Sequence, residues 1–463
     1  MQPIKRPFNR NTMIPVTIVL ATLLLLTGCA TTRKQAQREQ LDKITAGLQD
    51  NRQAIDPKEL ASLTDYLTVA YARNPSLQTA YHRWRAAIEG ISEAQLLPNP
   101  NLSFSIFAEQ IDTRHKVALT QAFPTIGVLR YRTRVADAQA QAAMHTFEAE
   151  RLELLERVTR AVMEYHYLYQ SITITAEYLR LLDELQQIIE ARYRSADASY
   201  PDLIQIRIER ERLEDRLAAL RDDRLPRSET LAALLNLELT EPLPWIADTE
   251  GLLPLPDEVP FEDIIPLLTY LNPELQALQA RIIAAGYDIK LARRRGWPQF
   301  MAGVEWMTMS GMGDGGDEDD FAFMAGVTLP IWRGGYRAAR NAAQEEEKAL
   351  IAQHKTLQNS LRAELAMLTA RYQDATRRRN RFENSLIPQA RQAKIVARQA
   401  YAEGRIPFAG LIDAYRMLLD LQLMSARAHA DQVTILADIG CCIGDLDSLF
   451  EKNNPTEASP TSE

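Results

Sequence analysis

The chain has 463 residues, with 61 acidic and 53 basic side chains and a formal net charge of −8. This acidity argues against nucleic-acid binding, which requires a basic surface. The three cysteines are too few for a disulfide framework, and Cys441 and Cys442 are adjacent, so they cannot pair without strain. We therefore expect no nucleic-acid partner and no structural disulfide.

The first residues have the order of an export signal. Basic residues precede an apolar run from Met13 to Leu26, and small residues follow before Cys29. The run is shorter than the roughly 20 residues that a spanning helix needs. Small residues before a cysteine resemble the lipobox of bacterial lipoproteins. We therefore predict a lipoprotein signal peptide at residues 1–28, lipidation of Cys29, and a lipidated N-terminal segment at residues 29–59.

The chain resembles itself at an offset of 198 residues. Asn74-Pro75 recurs as Asn272-Pro273, and further identities follow in the same register. Such self-similarity indicates a duplicated structural unit. The predicted organisation is a first repeat at 60–236, a proline-rich equatorial linker at 237–262, a second repeat at 263–444 and a disordered polar tail at 445–463.

Each half is predicted to contain a helix, a strand pair and a long helical hairpin. The first helices are expected over Leu60–Leu97 and Phe261–Arg295, and the long ones over Thr125–Ser195 and Trp332–Glu403. A helix of some 70 residues rises by about 105 Å, which suits a coiled coil or a structure that bridges a distance. The predicted helix breaks lie at Arg194–Pro201 and near Leu237 in the first half, and at Gly404–Pro407 and near Gly440 in the second.

The strand pairs are predicted at residues 101–123 and 299–329. Apolar residues alternate there with polar or small ones, for example at Leu102, Phe104 and Ile106. Runs of about 8–11 residues with this alternation are typical of strands in an outer-membrane barrel. Four strands cannot close such a barrel, and an open edge in lipid leaves backbone groups unpaired. Three chains together would supply twelve strands.

The duplicated order resembles the TolC-type outer-membrane factors, in particular the lipoprotein branch that serves drug and heavy-metal efflux systems. The resemblance covers about Leu60 to Gly444 and rests on the Asn-Pro-x-Leu starts, Pro100 and Pro298 before the strands, the Phe-Pro and Leu-Pro strand exits and the helix breaks. It implies a mainly α protein with membrane β-structure. It also implies that three chains form a trimeric 12-stranded β-barrel, four strands per chain, continuous with a long periplasmic α-helical barrel.

The resemblance also implies a function. The chain is expected to be the outer-membrane channel component of a tripartite efflux system, a passive duct for small molecules or metal ions and not an enzyme. It is expected to be lipid-anchored in the outer membrane and to extend into the periplasm. The implied partners are two further copies, a periplasmic adaptor, an inner-membrane pump of the RND type and outer-membrane lipid, with no cofactor. The alternatives are the duct of a type I protein secretion system and a periplasmic coiled-coil adaptor lipoprotein.

Several residues are predicted to carry this function. Proline lacks an N–H and fixes φ, so it suits a junction where a strand ladder ends and a helix begins. The barrel–helix junction residues are predicted to be Pro124, Gly127, Pro330, Gly334 and Gly335.

Gly404 is expected to end one helix in a left-handed conformation and Pro407 to open the next, while Pro201 opens the second helix of the first hairpin. These two helix turns are the predicted adaptor-contact tips. The contact residues are predicted to be Arg194, Ser195, Tyr200, Gly404, Arg405 and Ile406.

The resemblance further implies a narrow periplasmic aperture. Asp413 is expected to face the bore, so that three copies form a carboxylate ring that favours cations. The family often has a second aspartate where this chain has Gly410, and Asp202 is the candidate substitute. Tyr401 is expected to help lock the closed aperture.

The segment Met307–Asp320 is rich in methionine and acidic residues, which suit soft and hard cations respectively. A metal-binding loop is therefore one reading, and an ordinary acidic external loop is the other. We assign no metal ligands, since the six histidines also lack ligand spacing.

Overall fold

The computed structural model of the chain describes residues 31–50, 60, 62–107, 113–196, 198–246, 255–309 and 318–445. Helices dominate, and four antiparallel strands form one sheet. The predicted signal peptide, Cys29 and the tail from residue 446 lie outside the described residues, as do residues 310–317 of the methionine-rich and acidic segment.

The elements follow one another in this order: α1 (Thr31–Asp50), α2 (Leu63–Arg73), α3 (Pro75–Ala94), β1 (Asn101–Ile106), β2 (Thr113–Phe123), α4 (Val128–Arg194), α5 (Tyr200–Asp222), α6 (Arg224–Leu235), α7 (Phe261–Leu271), α8 (Pro273–Arg295), β3 (Gln299–Met309), β4 (Glu318–Thr328), α9 (Arg333–Arg381), α10 (Ile387–Ala402) and α11 (Phe408–Ile443). A π-helical turn at Phe382–Leu386 joins α9 to α10 without a gap. The predicted long helices are confirmed, with α4 alone running for 67 residues.

The sheet has the order β1-β2-β3-β4. Its register aligns Leu102 with Leu119, Leu119 with Val304, and Val304 with Phe323. Because side chains alternate between faces, the apolar sets of all four strands lie on one face. The alternation in the sequence therefore predicted both the strands and their shared apolar side. The outer edges of β1 and β4 pair with no described strand of the same chain.

The opposite face of the sheet carries a charge pair. Lys116 of β2 contacts Glu305 of β3, whose side chain is almost fully buried. These two residues occupy neighbouring positions, since Glu305 is aligned with Ala118. The face opposite the apolar one thus contains an ion pair.

The prediction of single helices over Leu60–Leu97 and Phe261–Arg295 is wrong, because each breaks at an asparagine that precedes a proline. Asn74 and Asn272 have ψ of 124° and 118°, which are extended values. Proline disfavours the helical conformation in the residue before it. Each asparagine then caps the next helix with its side-chain oxygen, at 2.9 Å from the Ser76 N–H and 3.0 Å from the Leu275 N–H.

The side-chain amides of the same asparagines fasten two helix ends. Asn74 Nδ2 donates to the carbonyl of Leu234 at 2.9 Å, and Asn272 Nδ2 donates to that of Cys442 at 2.8 Å. The two contacts have the same geometry, one near the end of α6 and one near the end of α11.

The break predicted near Gly440 is also misplaced. Gly440 is buried inside α11, and the helix continues to Ile443 before Gly444 ends it with φ of 97°. Apolar residues at helical spacing continue past Gly440, so packing carries the helix to the next glycine.

The chain divides into two compact units. One takes in the residues up to Thr45, His82–Met144 and Ala277–Gln353, and therefore holds the whole sheet. The other takes in Ala46–Tyr81, His145–Gln276 and the residues from His354, and holds both helix turns. No helix within the described ranges combines the length and apolar character that a membrane span requires.

Candidate functional site at the paired helix turns

The first turn, residues 195–199, joins α4 to α5. Ala196 adopts a left-handed φ of 63°, which is unusual for a residue other than glycine, and its N–H donates to the carbonyl of Tyr193 at 3.1 Å. A capping box then starts α5: the Asp202 N–H donates to Ser199 Oγ at 3.4 Å, and the Ser199 N–H donates to Asp202 Oδ2 at 3.3 Å. Pro201 lies in the first turn of α5, as predicted.

The second turn, residues 403–407, joins α10 to α11. Gly404 has φ of 73°, so a residue without a Cβ occupies the left-handed position. Its N–H donates to the carbonyl of Tyr401 at 3.0 Å, and the Arg405 N–H donates to that of Ala400 at 2.8 Å. This pair of bonds is a Schellman motif. Pro407, in an extended conformation, then precedes α11, so Gly404 and Pro407 act as predicted.

A shared hydrophobic core lies below the two turns and unites the ends of both hairpins. Its largest members come from all four helices, which fixes one hairpin against the other. The fully buried members are Leu182 and Ile189 of α4, Ile206 of α5, and Phe408, Leu411 and Ile412 of α11.

Tyr401 of α10 lies where the hairpins meet. It is 9% exposed, and its ring packs edge-on against Phe408 with the centroids 5.6 Å apart. The guanidinium of Arg192, from α4, lies 5.1 Å from the ring centroid, and its Nη1 donates to the Tyr401 carbonyl at 3.4 Å. Burial raises the pKa of Tyr401, and the charge of Asp202 raises it further. Tyr401 is therefore a neutral contact between the hairpins.

A second link between the hairpins is ionic. Arg416 of α11 contacts both carboxylate oxygens of Glu209 of α5, with Nε 2.9 Å from Oε1. The side chain of Glu209 is only 10% exposed. Its hydrogen bonds raise the pKa of Arg416, which stays charged. A bidentate pair of this kind fixes orientation as well as distance.

Asp413 and Asp202 occupy different environments. Asp413 is 70% exposed on the first turns of α11, and its Oδ1 lies 3.6 Å from Arg416 Nη1. Asp202 is half-buried and engaged in its capping box. Asp202 therefore has a local structural role, whereas Asp413 presents its carboxylate to solvent.

The predicted contact residues are mostly exposed. Arg194, Ser195, Tyr200, Gly404 and Arg405 lie on the surface of the turns, but Ile406 is half-buried and packs against the shared core. Arg405 also forms an ion pair with Glu403. The aromatic ring of Tyr193, which the sequence reasoning missed, lies 6.0 Å from that of Tyr200.

The sequence reasoning also missed Arg192, Glu209 and Arg416. Nothing local marks Glu209 and Arg416 as partners, because they are 207 positions apart. The sequence does place Glu209 on the apolar stripe of α5, between Ile206 and Leu213, and an acidic residue there indicates a need for a cationic partner.

The junction residues lie in the unit that holds the sheet. Pro124 follows β2 and Gly127 has φ of 93°, so the chain turns there into α4. Pro330 follows β4, but Gly334 and Gly335 already belong to the first turn of α9 and have no left-handed φ. They lie inside the helix and not in the bend before it.

The two ends of the methionine-rich and acidic segment lie in the second strand pair. Met307 and Met309 belong to β3, and Asp319 and Asp320 to β4. The described residues contain no group of three histidine, cysteine or acidic side chains placed to hold a metal ion.

A sheet with one apolar face, long helices and two closed hairpin turns define the class of an outer-membrane channel. The model of the outer membrane efflux protein family matches residues 67–237 and 265–444, and the chain belongs to this family. The family functions in the outer membrane.

Individual relatives agree with this assignment. The pyoverdine export outer membrane protein OpmQ of Pseudomonas putida is 24% identical over 303 residues. That match spans 63% of this chain and 63% of OpmQ. A membrane protein from Pseudomonas aeruginosa has a similar fold, with a TM-score of 0.72, 19% identity and coverage of 82% of this chain and 92% of that one. The outer membrane protein VceC from Vibrio cholerae has a TM-score of 0.67 and 18% identity, with 83% and 96% covered.

Proposed function

We propose that the chain is the outer-membrane channel of a tripartite efflux system, a passive export duct across the outer membrane and periplasm. It acts as a homotrimer with a periplasmic adaptor and an inner-membrane pump of the RND type, and it performs no catalysis. The cargo is small molecules or metal ions, and OpmQ, which is named for pyoverdine export, supports an export role. Cys29 carries a lipid anchor in this proposal.

The observation that carries the proposal is the sheet. It has an apolar face, an opposite face that carries an ion pair, and two edges without a partner among the described strands. Backbone groups left unpaired in lipid cost several kcal/mol each, so both edges need partners there. Three copies joined edge to edge give twelve strands and leave no edge open.

The paired turns are the proposed closed end of the duct. Tyr401 with Arg192, and Glu209 with Arg416, hold the hairpins together from inside the chain. The exposed polar residues of the turns form the surface that meets the adaptor in this proposal. Opening requires the hairpins to separate, so these contacts set its energetic cost.

Asp413 is the proposed aperture residue. Its exposed carboxylate, repeated in three copies around a narrow bore, favours cations over anions. Asp202 contributes by keeping the first turn in place through its capping box.

The test is single-channel conductance in planar bilayers, with wild type, Asp413→Ala and Asp420→Ala compared. Asp420 is an exposed aspartate two turns further along α11 and serves as the matched control. We expect small wild-type currents, larger currents with weaker cation preference for Asp413→Ala, and no change for the control. Trimers that conduct freely and ignore Asp413→Ala would remove the aperture assignment, and the lack of any trimer or channel would refute the duct itself.

A further inference from the structure

A cavity of about 840 Å³ lies where the end of α8 meets the start of α9, beside the strand exit at Pro330. All of its lining residues belong to the unit that holds the sheet. The volume is within the range of about 300–1,000 Å³ that is usual for ligand sites. Neither the predictions nor the proposed duct gives this cavity a role.

The charge of the cavity is entirely positive. Arg293 of α8 and Arg333, Arg337 and Arg340 of α9 line it, and no acidic residue does. None of these four arginines forms an ion pair with a carboxylate among the described residues. In a chain with a net charge of −8, this concentration of unpaired positive charge indicates an anion.

Arg293, Arg333 and Arg337 are exposed, so an anion can reach their guanidinium groups, and Arg340 is half-buried beside them. Arginine is the side chain that best matches the geometry of phosphate oxygens.

The helix dipole adds to this field. The first turn of α9 contains no acidic residue, although a carboxylate there would stabilise the helix. The first residue of α9 is the basic Arg333. The partial positive charge of the helix dipole at the start of α9 therefore adds to that of the arginines.

The surroundings of the cavity are those of a membrane interface. Leu329 continues the alternation of β4 beyond Val327, so it extends the apolar face of the sheet to the cavity wall, and Ile331 follows it. Both side chains are more than half exposed. Trp297, also in the wall, is stacked under Arg294 with 4.7 Å between guanidinium and ring centroid. Tryptophan at the edge of an apolar band is typical of the headgroup level of a bilayer.

We propose that the cavity between α8 and α9 binds the phosphate headgroup of an anionic phospholipid. The arginines hold the phosphate, and the acyl chains lie against the apolar face of the sheet through Leu329 and Val327. The lipid is favoured over a second copy of the chain because the cavity is continuous with that apolar face. Basic pockets at the membrane edge recognise lipid headgroups in this way. The inference rests on the outer-membrane placement of the sheet.

The test counts bound lipids on the purified full chain by native mass spectrometry, with phosphatidylglycerol titrated against phosphatidylcholine. The test variant is Arg333→Gln/Arg337→Gln/Arg340→Gln, and Arg333→Lys/Arg337→Lys/Arg340→Lys is the charge-retaining companion. The matched control removes three exposed arginines of α5 by Arg212→Gln/Arg216→Gln/Arg221→Gln.

We expect wild type and control to bind about one phosphatidylglycerol per chain with preference over phosphatidylcholine. The glutamine variant should bind it about 150-fold more weakly, since three arginines are lost at roughly 1 kcal/mol each. The lysine variant should fall between them.

Equal binding by wild type and glutamine variant would overturn the proposal. So would displacement of the lipid by millimolar inorganic phosphate, which would indicate a site for small anions. A glutamine variant that loses its oligomeric state at unchanged lipid binding would identify a second copy as the occupant. Channel conductance, measured on the same samples, separates this result from a failure of the duct itself.

Discussion

The two helix turns solve the same problem with different residues. Each reverses the chain between long helices and needs a left-handed residue, but the second turn uses Gly404 and the first uses Ala196. The second turn is closed by two backbone hydrogen bonds of a Schellman motif. The first combines a backbone hydrogen bond, from the Ala196 N–H to the Tyr193 carbonyl, with the side chains of Ser199 and Asp202. The residue types of the second turn therefore fit its backbone conformation better than those of the first turn do. The first turn stores a small amount of backbone strain.

The largest expected effect comes from the contact that unites the two hairpins. Arg416→Ala leaves the carboxylate of Glu209 nearly buried without its cation, which should cost about 2–3 kcal/mol. The purified protein should melt at a lower temperature, and single-channel currents should increase because the hairpins separate more easily.

Glu209→Gln in the Arg416→Ala background is the control for that prediction. Removal of the unpaired charge should recover part of the lost stability, as a double-mutant cycle would reveal. If Arg416→Ala melted and conducted like wild type, the ionic contact would have no role in closure.

The contrast between the turns predicts opposite signs for two matched substitutions. Gly404→Ala should destabilise by about 1–2 kcal/mol, since a Cβ is disfavoured at a left-handed φ although it would touch no neighbour there. Ala196→Gly should stabilise by up to about 1 kcal/mol for the same reason. Thermal melting of both variants measures the difference, and two changes of the same sign would refute the comparison.

The free energy of unfolding should also depend on pH, through Asp438 at the end of α11 that lies far from the second turn. Burial raises the pKa of Asp438 from 3.8 to about 6, despite Arg160 Nη2 at 2.9 Å from its Oδ1. The carboxyls of Glu156 and Glu364 add to the increase. The folded chain thus holds a proton that the unfolded chain has lost between about pH 4 and 6, so the free energy of unfolding falls as the pH rises through this range.

Asp438→Asn should remove that slope and stabilise the protein above pH 6, by about 1 kcal/mol once solvent screening is allowed for. Arg160 keeps Glu156 as a partner at 2.6 Å, so the substitution leaves no unpaired cation. Melting temperatures between pH 4 and 8 test this, and a variant with the wild-type slope would contradict it.

The smallest effect should be that of the side-chain cap in the first turn. Ser199→Ala removes one acceptor from the start of α5 and should cost about 0.5–1 kcal/mol. Ser195→Ala is the matched control, because its hydroxyl donates to the carbonyls of Ala191 and Arg192 in the helix that ends there. Equal melting temperatures for the two variants would show that the first turn does not depend on its capping box.

Local patterns predicted much of the fold. Alternation gave four strands whose apolar residues do share one face. The absence of proline from Thr125–Ser195, with a single glycine near its start, gave the longest helix. Gly404 and Pro407 were assigned roles from residue type alone, because each has few permitted backbone conformations. The helix breaks at Asn74 and Asn272 could also have been predicted, since the helical conformation is disfavoured for a residue that precedes a proline.

Contacts between distant segments were not predictable. The pairing of Glu209 with Arg416 and of Arg192 with Tyr401 depends on how two hairpins pack, and charged residues occur at many equivalent positions along these helices. The end of α11 was misjudged because Gly440 is tolerated where packing is good. The cavity between α8 and α9 was not predictable because its arginines come from two segments that only the fold brings together.

The number of residues in the π-helical turn at Phe382–Leu386 determines the direction in which the side chains after it point. It accommodates one residue more than an α-helix would, and one residue corresponds to about 100° of rotation. Every side chain from Ile387 onward, Tyr401 included, therefore points in a direction set by a residue count as much as by residue identity. Deletion of a single residue between positions 382 and 386 would leave an unbroken helix with its composition almost unchanged. That helix would turn Tyr401 away from Arg192. The number of residues in this segment therefore sets the rotation of α10 about its own axis.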